Sequence, residues 1–502
     1  MRQLICAFLL PRRQIFLRYL VLWGFVFWYA LLSGRVRAVN IPITAGSPQW
    51  LGGFRGGNDE RKDVDSFPAV AYDPTTERYL VVWSSPRNAG SQNDGLDVYG
   101  IFLDKFGRRI GSEFRISDRN YVARNGPPAL VASPGGEFAV AWTIRGRPCR
   151  VAVELVVSPT NKPDKILVTN TADSHSPSLV YNPRNKNFMI AYVSGEDYKP
   201  PKIFGSDTAD CGNRSDSTSQ IRLARFTFIN DLPTLNADVQ LTGNHGAFRP
   251  RAALDNNLEQ LLVVWEDRRD DLNQPDRFDV YGQRLSTNLS LNGNNFSLSE
   301  GTNYFGEDDS ANWTPRPAVS RGHQGFMVAW FEHRPDGEYH DWAILASRVP
   351  DNGLLASPKI VARTSYVETH VGREPTGTVD IAYNRAAGEY LVAFAMYTES
   401  VWGYLSSIFV QRLDETGQLL AFDGTDQQDP GVGRAVDYSL DDQIFVSLAT
   451  NTSFGLNLSN HMVVYTKRYT DGHARDYDLY GTRLVFPVSD DMVMVPLTIR
   501  GR

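Results

Sequence analysis

Arginine and aspartate recur in this chain at similar distances from short apolar runs. Arginine follows runs such as Leu-Val-Val-Trp, and aspartate begins the next run. A guanidinium can bind a carboxylate, sulfate or phosphate through two parallel hydrogen bonds, so a ring of these arginines would form an anion site. Arg–Asp pairs across a hairpin would instead be a repeated structural element, and we favour this second interpretation. The residues are Arg87, Arg145, Arg268 or Arg269, Arg334 and Arg468, with Asp97, Asp279, Asp341 and Asp478.

Two segments are rich in possible metal ligands. Oxygen-rich loops can bind calcium, and mixed His/carboxylate groups can bind transition metals. Neither segment has the spacing of a known metal motif, so we predict solvated acidic loops and no cofactor, with calcium as the alternative. The first segment contains Glu266, Asp267, Asp270, Asp271, Asp276 and Asp279, and the second contains Glu332, His333, Glu338, His340 and Asp341.

The usual catalytic motifs are absent from the sequence. It has no nucleophile elbow, no phosphate-binding Gly-Lys loop and no His-Glu-x-x-His. The Ser-x-Asp-x-Gly-x-x-Trp boxes typical of sialidases are also missing, since Asp336-Gly337 before Trp342 lacks the leading serine. The sequence therefore predicts no catalytic residue, and whether the protein is an enzyme stays open.

The apolar run is a strand that ends in an aromatic residue. Tyr79 to Trp83 returns as Leu261 to Trp265, and looser copies bring the total to about seven, at intervals of roughly 50 to 75 residues. Such a period indicates a repeat architecture. The looser copies are Phe138 to Trp142, Phe188 to Tyr192, Phe326 to Trp330, Tyr390 to Phe394 and Met462 to Tyr465.

Each repeat reads as four strands, A to D, with the aromatic run as strand B. Strand A begins with proline in several repeats, because the first residue of a strand does not need a backbone N–H for pairing. Strand C carries Asp97 to Leu103, Asp279 to Leu285 and Asp478 to Leu484, and strand D is predicted at Glu113 to Ser117 and Phe296 to Ser299. Four antiparallel strands repeated about seven times predict an all-β, seven-bladed β-propeller, with six blades as the alternative. The predicted blades are 67–117, 127–169, 176–243, 249–299, 315–362, 373–426 and 432–500.

Two segments could close the ring. Asn40 to Thr44 and Met492 to Thr498 both resemble strand D, and we favour the N-terminal segment as the outer strand of the last blade. The seventh blade is the least regular, because Asp442 to Asn460 interrupts its pattern.

Part of the chain resembles a known group of proteins. The strings Val263-Val264-Trp265-Glu266-Asp267-Arg268-Arg269 and Asp279 to Leu285 are similar to repeats of uncharacterised exported propeller proteins of bacteria and archaea. The resemblance covers blades one and four well and the others loosely. It implies a propeller at the cell surface or outside the cell, and it transfers no catalytic residue.

Residues 1–38 differ from the rest of the chain. They contain six arginines, no acidic residue and the apolar run Tyr19 to Leu32, which together predict a signal peptide, with an N-terminal membrane anchor as the alternative. Removal takes away six of 51 basic residues and none of 57 acidic ones, so the formal net charge moves from −6 to −12. We therefore predict a single propeller domain over 39–502 that does not bind nucleic acid and that contacts a membrane only through the N-terminal segment, if that segment is not cleaved.

The three cysteines predict one disulfide. Cys6 lies in the segment predicted to be removed, so Cys149 and Cys211 remain in a protein predicted to be exported. Both lie in the connection between strands B and C, in blades two and three. Equivalent loops of adjacent blades lie side by side, which would bring the two cysteines together.

The connections after strand B and before strand A are the long ones, and both lie at one end of an up-and-down blade. Long loops on a rigid scaffold commonly carry function. We predict a secreted or cell-surface monomer that binds a glycan or a protein at this end. A propeller enzyme acting on polysaccharide and a structural surface protein are the alternatives. The predicted site residues are Trp83, Arg87, Trp265, Asp267, Arg269, Trp330, Glu332 and Arg334.

Overall fold

The computed structural model describes the strands and most of the tight turns of the chain. The described residues are 44–45, 49–52, 66–85, 96–117, 128–144, 148–159, 173–195, 219–243, 246–255, 257, 259–269, 278–299, 317–323, 325–336, 339–351, 355–367, 379–385, 387–400, 403–420, 434–436, 443–451, 458–468 and 477–487. Within these ranges every regular element is a β-strand, and no helix is long and apolar enough to cross a bilayer. The predicted signal peptide or anchor, residues 1–38, lies outside them.

The strands form seven antiparallel sheets, which are the seven blades predicted from the sequence. In chain order the strands are β1 (Thr44–Ala45), β2 (Gln49–Gly52), β3 (Ser66–Asp73), β4 (Arg78–Ser85), β5 (Asp97–Asp104), β6 (Arg109–Arg115), β7 (Ala129–Ser133), β8 (Glu137–Ile144), β9 (Arg150–Val156), β10 (Ser174–Asn182), β11 (Asn187–Ser194), β12 (Gln220–Ile229), β13 (Leu232–Gln240), β14 (Ala247–Leu254), β15 (Gln260–Asp267), β16 (Asp279–Ser286), β17 (Leu291–Ser297), β18 (Ala318–Arg321), β19 (Gly325–Asp336), β20 (Tyr339–Pro350), β21 (Lys359–Val367), β22 (Val379–Asn384), β23 (Glu389–Ser400), β24 (Gly403–Asp414), β25 (Leu419–Leu420), β26 (Arg434–Ala435), β27 (Gln443–Asn451), β28 (Leu458–Arg468) and β29 (Tyr477–Pro487).

Strands A of successive blades contact one another around the whole ring. These strands are β3, β7, β10, β14, β18, β22 and β27, and β27 of blade seven contacts β3 of blade one. Strand A is therefore the innermost strand of every blade. The cores lie between blades, so strand B is apolar on both faces, and its aromatic residues Trp83, Trp142, Trp265 and Trp330 are at most 1% exposed.

The N-terminal segment closes the ring, as we favoured from the sequence. β1 and β2 both pair with β29 of blade seven, and Trp50 lies opposite Tyr480. The described pairing covers residues 44–45 and 49–52; of the predicted segment 40–44, Thr44 pairs and residues 40–43 lie outside the described residues. Leu51 is fully buried and lies over Gly481, where a Cβ atom would come within 2.6 Å of Leu51 Cδ1. Ile116 lies over Gly100 of blade one in the same way. The segment thus takes the place of strand D in the last blade.

Several predicted boundaries differ from the structure. Strand D begins earlier than predicted, at Arg109 and Leu291, because pairing with strand C resumes directly after a tight turn. In blade five the predicted loop after Trp330 is instead a continuation of both strands, with Arg334 opposite Asp341. β26 belongs to blade six, where it pairs with β24, and strand A of blade seven is β27, inside the segment predicted to interrupt that blade.

Arginines join neighbouring blades at the end of the ring where strands A end and strands B begin. Arg284 of blade four donates from Nη2 to the carbonyl oxygen of Pro350 in blade five at 2.8 Å. Arg78 of blade one donates to the carbonyl oxygen of Gly136 in blade two at 2.7 Å. Each bond therefore joins the sheets of two adjacent blades.

Candidate functional site

The candidate site lies at the end of the ring where strands A begin and strands B end, which we call the mouth. The connections from B to C and from D to A lie at the mouth, because the blades are antiparallel. The sequence interpretation selected this end for its long connections. Most residues of those connections lie outside the described residues, so the described site consists of the strand ends.

Strand A carries a β-bulge at the mouth in four blades. The bulge residues are Phe67, Ser176, Arg249 and Phe445, with φ angles of 53°, 53°, 46° and 50°. The register shifts by one residue at each of them. A positive φ is uncommon for residues with a side chain and costs about 1–3 kcal/mol. Proline follows three of the four and restricts the preceding residue further.

The bulges place side chains of neighbouring blades against each other. The rings of Phe67 in blade one and Phe445 in blade seven lie 4.4 Å apart between centroids. Arg249 donates from Nη1 to Glu266 Oε2 at 2.7 Å, and the Glu266 side chain is fully buried. The mouth therefore contains an aromatic pair between blades one and seven and an ion pair within blade four.

Each of the seven strands A carries one equivalent residue near the mouth, and we call these seven residues the inner ring. In the four blades with a bulge, this residue lies two positions after the bulge residue. Each lies opposite the strand B residue that precedes the buried aromatic residue; Arg251, for example, lies opposite Val264, before Trp265. The inner ring consists of Ala69, Ala129, Ser178, Arg251, Ala318, Asp380 and Ser447.

Polar members of the inner ring bond to the next blade. Ser178 Oγ accepts a hydrogen bond from the backbone N–H of Ala252 at 3.1 Å. Ser447 Oγ accepts one from the N–H of Val70 at 3.3 Å. Strand A has an unpaired inner edge, so these bonds satisfy donors that no sheet partner reaches.

Asp380 makes the same contact with more partners. Its Oδ2 accepts from the backbone N–H of Leu448 at 2.8 Å and from Ser447 Oγ at 3.2 Å, and its Oδ1 accepts from the N–H of Ile381 at 2.9 Å. Burial raises the pKa of Asp380 above its ordinary value, and these bonds and the charge of Arg251 oppose that rise.

Arg251 departs from this pattern. Within the described part of the chain, no hydrogen bond or ion pair reaches its guanidinium, although Asp380 and Glu266 act on it electrostatically. Burial lowers the pKa of Arg251, and the charge of Arg249 adds to this effect. The inner ring thus contains one cation and one anion among five small neutral residues.

The predicted site tryptophans lie behind the mouth and have almost no exposed surface. Trp83, Trp265 and Trp330 are each 0% exposed. Trp265 Nε1 donates to Asp267 Oδ2 at 2.7 Å, and Trp330 Nε1 donates to Glu332 Oε2 at 3.3 Å. These two acids, also predicted as site residues, are therefore bonded to the core of their own strand.

Arg269 is bonded to the same blade. It donates from Nη2 to Asp267 Oδ2 at 2.5 Å and from Nη1 to Asn295 Oδ1 at 3.2 Å, and it lies 4.1 Å from the centre of the Tyr281 ring. Arg87 lies outside the described residues, and only the backbone of Arg334 is described. The structure therefore groups Trp265, Asp267 and Arg269 and leaves ligand contact by the predicted residues as a prediction.

Two of the aspartates that begin strand C accept hydrogen bonds from serines that follow strand D. Asp97 Oδ1 accepts from Ser117 Oγ at 3.0 Å, and Asp279 Oδ1 accepts from Ser299 Oγ at 2.8 Å. Both serines follow strand D, and Asp97 also pairs with Arg115 of strand D at 3.1 Å. Asp279 lies opposite Asp267 in blade four, and Arg334 lies opposite Asp341 in blade five, so the Arg–Asp staple across strands B and C stays a prediction.

The predicted calcium site and the predicted disulfide both involve residues that lie outside the described ranges. Among the described residues, no three His, Cys, Asp or Glu side chains form a group that could bind a metal ion. The proposed calcium loop at 270–277 lies outside the described ranges, so calcium binding there stays untested. Cys149 is fully buried, and Cys211 lies outside the described residues, so the disulfide stays a prediction.

Sequence reasoning missed Arg251, Asp380 and the bulge residues. One signal was present: Arg249-Pro250-Arg251 repeats the position of Phe67-Pro68-Ala69 and Ser176-Pro177-Ser178. Aligning the residues on either side of that proline would have shown a charged residue where other repeats have small ones. Asp380 has no such proline, because Val379 precedes it.

The fold is a seven-bladed β-propeller in which the seven strands A surround the axis of the ring. No protein-family model and no curated protein matches the chain. Among solved structures, the hemagglutinin-neuraminidase ectodomain of parainfluenza virus 5 is 9% identical, with a TM-score of 0.44 and coverage of 96% of this chain and 97% of that chain. The α-L-arabinanase of Penicillium chrysogenum, complexed with arabinobiose, is 12% identical, with a TM-score of 0.41 and coverage of 73% and 94%. At these TM-scores the likenesses carry no information about the ligand of this protein.

Proposed function

We propose that the protein is a secreted or cell-surface binding module that holds a glycan at the mouth of the propeller. The observation that carries the proposal is the set of bulges with positive φ at Phe67, Ser176, Arg249 and Phe445. Strain of this kind persists where the surrounding structure holds it, and it is concentrated at ligand sites. Export is inferred from the N-terminal segment of the sequence.

The shape and chemistry of the mouth favour a sugar over a protein partner. A stable protein–protein interface buries about 800 Å² on each partner, usually across a broad surface. A site formed by strand ends around the axis of a ring offers less area than that and suits a small polar unit or the end of a chain. The partly exposed Phe67 beside Phe445 offers an aromatic face, and the partly exposed Ser176 and Arg249 offer polar groups for hydroxyls.

A glycan array with the purified protein tests this proposal. We expect binding to a restricted set of glycans, and at least about a tenfold loss of affinity in Phe67→Ala, since an aromatic contact and its buried area are removed. Phe106→Ala is the matched control, because Phe106 lies in a C–D turn at the opposite end of blade one. Assaying reducing-sugar release with the same panel separates binding from hydrolysis.

Two outcomes would overturn the proposal. The first is the absence of binding to any glycan by a folded protein. The second is equal affinity in Phe67→Ala and the unchanged protein, provided that circular dichroism and the unfolding midpoint show both to be folded.

A further inference from the structure

We propose that the bound glycan carries an anionic group, a carboxylate or a sulfate, and that Arg251 binds this group. The inference rests on the proposed function and specifies its ligand class. It starts from the contrast between Arg251 and the six equivalent residues of the inner ring.

The fold does not require arginine at this position. Alanine occupies it in blades one, two and five, and serine in blades three and seven. The two serines and Asp380 bond to the backbone of the adjacent blade. Arg251 has only donors on its side chain, so it cannot accept a hydrogen bond from the next strand A as these residues do.

The guanidinium also lacks a compensating contact. Removing an arginine from water is unfavourable unless it is paired, and burial here lowers the pKa of Arg251. No hydrogen bond or ion pair reaches it from the described residues, which leaves its planar donor face available for a ligand. An unpaired guanidinium is suited to a planar anion, which it can bind through two parallel hydrogen bonds.

The nearby acids are already engaged. Glu266 pairs with Arg249 at 2.7 Å, and Asp380 accepts three hydrogen bonds from Leu448, Ser447 and Ile381. Asp380 lies two blades from Arg251 and is not within ion-pair distance of it. We infer that Asp380 accepts from a sugar hydroxyl on the same ligand, since its charge would repel a second anionic group.

The sharpest test compares each anionic glycan with an uncharged form of the same sugar. Oligogalacturonate and its methyl ester are one such pair, and a sulfated oligosaccharide with its desulfated form is another. We expect the charged form to bind at least about tenfold more tightly than the uncharged form, which is the range for a hydrogen bond to a charged group. Isothermal titration calorimetry gives both dissociation constants.

Arg251→Ala is the decisive variant, because it places in blade four the residue that blades one, two and five already have. Arg251→Ser, matching blades three and seven, is a second choice if the alanine variant is poorly folded. We expect either variant to lose the preference for the charged form while keeping its affinity for the uncharged form. Arg184→Gln removes the same charge from an exposed ion pair with Glu259 at the opposite end, and we expect it to bind like the unchanged protein.

The outcomes separate the two proposals. Equal binding of charged and uncharged forms, or an unchanged preference in Arg251→Ala, would overturn the role of Arg251 while the mouth remains a glycan site. Binding to neutral glycans alone would do the same. Absence of all glycan binding would overturn the proposed function and this inference together.

Discussion

Trp265 Nε1 donates a hydrogen bond to Asp267 Oδ2 at 2.7 Å inside the core of blade four. The acceptor is two residues further along the same strand, on the same face, and is 1% exposed. Glu332 accepts from Trp330 in blade five in the same way. In blade two the equivalent residue is Ile144, and within the described residues Trp142 Nε1 has no hydrogen-bond partner. The acid after the tryptophan thus satisfies a buried donor in some blades only.

The contrast between blades predicts a difference in stability. We expect Trp265→Phe to lower the free energy of unfolding by about 1–2 kcal/mol more than Trp142→Phe, because only the first change removes a partner from a buried carboxylate. Both changes remove the same volume, so each variant controls for the other. Urea unfolding at neutral pH measures the two values, and equal losses would contradict the assigned role of Asp267.

Because β2 closes the ring, we expect a buried residue of this strand to stabilise the fold although it is distant from the mouth. Leu51 is fully buried between blades seven and one, so Leu51→Ala should cost about 2–5 kcal/mol. Ile110 is on strand D of blade one and is 45% exposed, so Ile110→Ala should cost much less. Thermal unfolding of both variants checks the difference. A small loss at Leu51 would mean that the segment does not hold the ring closed in solution.

Two buried histidines predict acid sensitivity. Burial lowers the pKa of both His175 and His461 to about 3, from an ordinary value of 6.5. Each is therefore neutral in the folded protein and gains a proton on unfolding below pH 6.5. The stability they contribute is present above pH 6.5 and is lost as the pH falls toward 3, by about 2 kcal/mol for each histidine between pH 7.5 and 5.

His461→Gln isolates this effect. The free energy of unfolding of the variant should depend less steeply on pH between 7.5 and 5 than that of the unchanged protein. An unchanged slope in His461→Gln would show that this histidine is accessible to protons in the folded state.

The predicted disulfide between Cys149 and Cys211 can be tested directly. We expect labelling of the unfolded, non-reduced, exported protein to find no free thiol from these residues, and reduction to release two. The bond would close a loop of about 60 residues and stabilise the fold by about 4 kcal/mol in the chain-entropy model. Two reactive thiols before reduction would rule it out.

The sequence by itself determined the seven blades, the four-strand repeat, the closing segment and the end that carries the long connections. It could do so because these features follow from local pattern: an apolar run of strand length, a proline before strand A and turn residues at regular spacing. The sequence also shows strand B to be apolar on both faces, because each blade must bury both of its surfaces against its neighbours. The boundaries of strand D and of the long hairpin in blade five could not be predicted from the sequence, because pairing partners decide where a strand begins and ends.

Only the tertiary structure decided which side chains meet at the mouth. Arg251 and Asp380 are 129 positions apart in the sequence and become members of one ring because strands A converge on the axis. The tryptophans and acids that the sequence marked for function proved to be bonded within the blades, since the same aromatic run that repeats along the chain must fill the space between them. A repeat pattern therefore predicts the scaffold, and the residues that depart from the pattern become interpretable only when the ring brings equivalent positions together.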